Sequence, residues 1–324
     1  MNIKQMRKIA GILVVSAIIG TNLNAQTRND VISAYNEGAK ASQTDAGAAI
    51  VAFEQVVTLA DQVGDEAADL KEKAMKVLPG LYVKVALNAY NEKKPAPEII
   101  DAAKKASAAA EKYGSSSNKA TAGKILVQGF NKMGTEFFSE SDYDNALLSF
   151  DSLLLINPDY ANAIYNKSLI YMRQNDNDSF EGTIDTFLSK LESGKDDERI
   201  EQASTQALEY FRAAGSLANQ DDSLDKALDL LNKAAKYGDD KDLFYYFADV
   251  YNKQENFDSG TEYAQKGLDL ETGEAEAKAK FYYQLAVAQA GKGETANACA
   301  SFKNAMYGPF AEASKAQRTN LKCE

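Results

Sequence analysis

The run FNKMGTEFFSESDYDNALLSFDSLLLINP, Phe130 to Pro158, decides how the rest of the chain reads. Phe130, Met133, Gly134 and Phe137 recur at helical spacing and share one face of a first helix; Tyr143, Ala146, Phe150 and Leu153 do the same on a second. Pro158 ends the unit, since proline cannot continue a helix. Gly134 and Ala146 are small where two helices must cross closely, while Phe130, Phe137, Tyr143 and Phe150 fill the space around the crossing. The stretch therefore predicts a helical hairpin closed by its own apolar faces.

Copies of this pattern lie on both sides. Tyr160, Ala163, Ile164, Ser168 and Tyr171 open a helix directly after Pro158, followed by a divergent partner carrying Phe180, Ile184 and Phe187. Further copies are marked by Phe211, Gly215, Ala227 and Leu231, by Phe247, Ala248, Gly260 and Ala264, and by Leu285, Ala286, Ala298 and Phe302. The small residue of each first helix steps by 34 from Gly134 to Ser168, then by 47 to Gly215, 33 to Ala248 and 38 to Ala286. Upstream, Gly38 stands where Gly134 does, and Ala49, Phe53 and Val56 echo the second helix.

This signature resembles the tetratricopeptide repeat (TPR), whose period is 34 residues. The resemblance is strong over 127–172 and 241–306 and loose before residue 115. It implies an all-α fold, an α-α superhelix or TPR-like solenoid of about six to seven helical hairpins with a C-terminal capping helix. The implied organisation is a signal peptide at 1–25, divergent N-terminal hairpins at 26–115, the TPR array at 116–309, and a capping helix and tail at 310–324.

Composition agrees with helix: five Pro, no Trp, and no recurring alternation of β-branched residues. Before the array, a helix from Asp65 to Tyr90 is expected to kink or break at Pro79–Gly80; Pro97 suits a first helical turn, and Gly114 a C-terminal cap.

Lys4, Arg7 and Lys8 precede an apolar run, Ile9 to Ile19, and the small residue Ala25 closes a polar stretch, the pattern of a cleaved export signal. The run is eleven residues, against roughly 20 needed to span a bilayer. No later stretch reads as apolar enough to cross a membrane. Cleavage after Ala25 leaves 36 minus 3 Lys and Arg against 47 Asp and Glu, a net charge of −14, which disfavours nucleic acid and anionic lipid as partners. The expected location is the periplasm or the exterior, where Cys299 and Cys323, the only cysteines, can form a disulfide.

The absence of His removes the commonest general base and transition-metal ligand and leaves an enzyme only carboxylates, Lys or Tyr, a disfavoured third reading; the expectation is a chain that is not an enzyme, with no catalytic residue, no metal site and no cofactor. The acidic pairs Asp196/Asp197, Asp221/Asp222 and Asp239/Asp240 suit helix starts. Asn175 to Asp178 lacks the glycine and distal glutamate of a calcium loop and reads as an inter-helix turn, and GKGET at Gly291 to Thr295 lacks the spacing of a phosphate loop.

The resemblance further implies that the first helices line a groove. The residues placed there are Asn131, Tyr165, Arg173, Arg212, Tyr245, Asn252 and Tyr283. Tyr165, Tyr245 and Tyr283 recur at equivalent positions, and tyrosine is a favoured interface residue. Asn131 and Asn166 match parts of the carboxylate clamp of some family members, but no matching lysine pair faces them, so the clamp is not carried over. The implied function is a non-catalytic scaffold that binds a protein or peptide segment in the concave groove. The alternative is a structural subunit of an envelope complex that uses convex or terminal surfaces.

Overall fold

The structure, a computed structural model, describes residues 26–324, so the expected export signal and its cleavage at Ala25 lie outside the described residues. The chain forms two compact units that divide between Gly129 and Phe130. Among the described residues every regular element is helical.

The first unit contains α1 (Arg28–Ala41), α2 (Ala46–Val63), a 3-10 turn (Asp65–Ala67), α3 (Ala68–Asn91), α4 (Ala96–Lys112) and the start of α5 (Ser116–Ser139). From α1 to α4 each helix packs on the next, around Val31, Phe53, Val56 and Leu78. A Cβ at Gly38 would lie 3.1 Å from the Phe53 ring, so the close crossing read from the central stretch also occurs here. Pro97 sits in the first turn of α4, and Gly114 takes the left-handed φ of +71° just past its end, where glycine has no Cβ penalty.

Two expectations are corrected in this unit: the break at Pro79, as distinct from a kink, and the membrane reading of the later chain. α3 runs unbroken through Pro79, with Leu78 fully buried on one side and Leu81 nearly so on the other. Tertiary burial there outweighs the roughly 3 kcal/mol that an interior proline costs a helix. The second correction concerns α2, which is long and apolar enough, by length and composition, to cross a membrane. In the structure its Ala49, Phe53, Val56 and Ala60 are buried in the unit's core, while Val51 faces outward.

The second unit holds the rest of α5, then α6 (Tyr143–Ile156), α7 (Ala161–Gln174), α8 (Asn177–Ser189), α9 (Asp197–Gln220), α10 (Leu224–Ala235), α11 (Lys241–Lys253) and α12 (Phe257–Leu270). α13 (Ala275–Gly291), α14 (Thr295–Asn304), a 3-10 turn (Gly308–Phe310) and α15 (Ala311–Asn320) complete it. α7 pairs with α8, α9 with α10, α11 with α12 and α13 with α14, and each hairpin packs on the next, as TPR-like arrays do. The small residues sit at the crossings. A Cβ at Gly134 would stand 2.6 Å from the Phe150 ring and one at Gly215 2.8 Å from Leu231, while Ser168, Ala248 and Ala286 are fully buried.

The turns follow from capping chemistry. Asp142, Asp176, Asp240 and Asn256 each accept the backbone N–H three residues on, satisfying a donor that the helix start leaves free. Asn175 is left-handed ahead of Asp176, so Asn175 to Asp178 is an inter-helix turn and helix start. Phe180, Ile184 and Phe187 are buried, which fixes the divergent α8 against α7. Asp221 and Asp222 depart from expectation: they close α9, and the cap position of α10 belongs to Ser223. α15 packs on α14, and Cys299 is paired with Cys323 in a disulfide whose Cα atoms are 5.6 Å apart.

Candidate functional site

Within the second unit α11 touches both α9 and α13, so the first helices of three successive hairpins lie side by side. Asp249 on α11 ties them together. Its carboxylate accepts Asn219 Nδ2 from α9 at 2.6 Å and Gln284 Nε2 from α13 at 2.8 Å, and Lys253 Nζ lies 3.6 Å away. Lys253 Nζ also donates to the Asn219 carbonyl and Oδ1, at 3.0 and 2.9 Å. Asn219 and Gln284 are almost fully buried, where an unpaired amide would be costly, so the network holds the three helices in one register.

Tyr245 and Tyr283 flank this network. Burial, reinforced by the Asp249 carboxylate, pushes the Tyr245 phenol up to about 12, and the same two causes raise Tyr283. The Tyr245 ring meets Phe281 edge-on at 6.3 Å, and Lys280 Nζ sits 5.5 Å from its centroid. Lys280 also pairs with Asp242. Burial alone would raise the Asp242 carboxyl, but the Lys280 ammonium outweighs it and holds the group below its ordinary value. Tyr283 is enclosed by Phe302 and Phe310, at 5.7 and 5.4 Å.

The other expected groove residues divide. Tyr165 donates to Gln206 Oε1 on α9 at 2.8 Å and packs on Phe187 at 4.8 Å; burial raises its phenol. Arg212 is paired with Asp240, the cap of α11, so its donors serve the packing of neighbouring hairpins. Arg173 is exposed over the Phe138 ring at 5.9 Å, and Asn131 has its Oδ1 buried with no hydrogen-bond partner. Asn252 is misplaced by the sequence reading. It is 7% exposed, its Nδ2 donates to the Gln284 carbonyl and Oε1 at 2.9 Å, and its Oδ1 lies against Gly260. It is an interior strut between hairpins and lines no groove.

Beside Tyr165 the structure opens a cleft of about 540 Å³ lined by Glu198, Glu201, Gln202, Thr205, Gln206 and Glu209 of α9. The acidic positions repeat at helical spacing along α9 and were legible as such, but only the Tyr165–Gln206 bond shows that α7 forms the opposite wall. Gln284 was likewise missed, because its role comes from helices on either side of it. Among the described residues no group of three or more His, Cys, Asp and Glu is arranged to hold a metal ion.

No protein family matches the chain, and no curated protein does so either. Among solved structures it is similar to that of MamA, at 18% identity over 61% of this chain and 97% of that one, with a TM-score of 0.35. It is similar to YrrB, described as a TPR protein with an unusual peptide-binding site, at 16% identity over 58% and 91%, TM-score 0.35. A tetratricopeptide repeat protein from Parabacteroides merdae is matched at 16% identity over 90% of this chain and 99% of its own, TM-score 0.30.

Proposed function

We propose that this chain is a non-catalytic binding scaffold of the bacterial envelope, whose first helices in the second unit hold an extended protein or peptide segment, with a basic side chain of that segment in the cleft beside Tyr165. The observation that carries this is a contrast in pairing. Arg212, Lys280 and Lys241 are neutralised by Asp240, Asp242 and Glu271, whereas Glu198, Glu201 and Glu209 have no cationic partner among the described residues. A Lys or Arg entering the cleft would meet an uncompensated carboxylate of the row Glu198, Glu201 and Glu209 along α9 and the Tyr165 face, where a cation is attracted to both. Tyr245 and Tyr283 add stiff aromatic surface beyond it.

A second reading, a structural subunit that binds through an outer surface, is favoured by α6, where Leu148 and Leu155 are 64% and 87% exposed. Export is part of the proposal and is checked by mass spectrometry of protein from its host: an N-terminus at Gln26 supports it, an intact Met1 refutes it. Affinity capture from the native envelope decides between the surfaces. Tyr165→Ala and the double variant Glu198→Gln/Glu201→Gln should each lower partner yield, as truncated interface anchors do, by about tenfold or more. If both capture normally while Leu148→Ser/Leu155→Ser loses the partner, the outer-surface reading replaces the first.

A further inference from the structure

The terminal helix α15 is held to the array by little of its own surface. Its largest aliphatic side chain is Ala, and Ser314 is its one buried residue, donating to the Ala305 carbonyl at 3.4 Å. The apolar hold comes from its flanks: Phe310 packs on Tyr283, and Leu321 joins the cluster of Ala286, Ala298 and Phe302. At ten residues α15 falls below the ~12–15 that a helix needs to persist alone in water. The disulfide lies at its far end, joining Cys323 to Cys299 in the middle of α14. Arg318 reinforces the same join, donating to the Cys299 carbonyl and, at 2.8 Å, to the Glu324 carbonyl.

We propose that this bridge is a redox latch on the terminal helix. Closed, it keeps Leu321, at the end of α15, in the cluster around Phe302, which is 1% exposed, and keeps Phe310 against Tyr283. A dithiol reductant opens it by thiol–disulfide exchange: one of its thiolates attacks a bridge sulfur and the S–S bond breaks. The reductant's second thiol then resolves the mixed disulfide. Two electrons and two protons pass to the chain, leaving Cys299 and Cys323 as thiols and the reductant as a disulfide. The freed helix frays, Phe302 is uncovered, and Tyr283 loses the ring that covers its side. The latch thus sets the state of the α13 end of the first-helix surface, whatever binds there.

Hydrogen exchange on the full chain, read by mass spectrometry with and without dithiothreitol, tests this. Reduction should speed exchange of the amides of 311–321 by about tenfold or more while those of α11 and α12 keep their protection. A Cys299→Ser/Cys323→Ser double variant should exchange fast under both conditions. Equal protection of α15 in the oxidised and reduced protein would overturn the proposal. So would acceleration spreading through α9 to α12, which would make the bridge a global staple, or two free thiols in protein isolated from an oxidising compartment without reductant.

Discussion

Gly134→Ala and Gly182→Ala are the same chemical change in two helices of the second unit, and the structure gives them opposite signs. In a helix interior alanine is favoured over glycine by about 0.8–1 kcal/mol, partly through the unfolded chain, and that gain is common to both. At Gly182 the added Cβ meets nothing within 4 Å, so the gain stands alone. At Gly134 it would lie 2.6 Å from Phe150 Cε1 and 2.9 Å from both Cδ1 and Cζ. Phe150 is fully buried and cannot yield without disturbing its neighbours, so the overpacking cost falls toward the top of the usual range, about 3 kcal/mol. The net expectation is a loss of about 2 kcal/mol for Gly134→Ala and a gain of up to about 1 kcal/mol for Gly182→Ala. Urea unfolding of the full chain, followed by far-UV circular dichroism, reads both. If Gly134→Ala raises the midpoint as Gly182→Ala does, α5 and α6 do not cross at Gly134, and the register built outward from that residue is wrong.

Two further substitutions probe the network between hairpins. Asn252→Ala removes both donors to Gln284 and should cost about 1–3 kcal/mol in the same unfolding experiment, as loss of a buried hydrogen-bond partner does; a change under about 0.5 kcal/mol would return Asn252 to the surface. Tyr245 supplies a pH test: its folded phenol titrates at about 12 against an ordinary value of about 10, so the stability it contributes is complete below pH 10 and lost as pH rises toward 12. Tyr245→Phe should flatten that alkaline loss and remove one late-ionising tyrosine from the ultraviolet absorbance titration; an unchanged titration would refute the assignment.

The hairpins were legible because one residue type answered two demands at once. A small residue at Gly134, Gly215 or Ala248 keeps the helical spacing and also permits the close crossing, so its recurrence marks both the element and its contact. α8 was harder to read, since Phe180, Ile184 and Phe187 fill its core without a small residue to announce the crossing. Pro79 misled as a break point because the proline rule is local, whereas the burial of Leu78 and Leu81 is set by neighbouring helices. The proposed binding face was only half legible. Helical periodicity places Arg212 and Asn252 on a face, but their partners Asp240 and Gln284 lie 28 and 32 residues further on, in the next hairpin. A sequence face that points outward from one hairpin is interior once the following hairpin arrives.

The bonds that converge on Asp249 also limit how this chain can change its length. A stack of self-contained hairpins can gain or lose one by duplication or deletion, since each new seam repeats the old one. Here Asn219, Asp249 and Gln284 belong to three different hairpins and are complete only when those hairpins are consecutive. A hairpin inserted after α10 would carry Asn219 away from Asp249 and leave a buried amide with no acceptor, while deletion of α11 and α12 would remove the carboxylate from both amides at once. Growth by whole-hairpin insertion or loss is therefore penalised in the α9–α13 block.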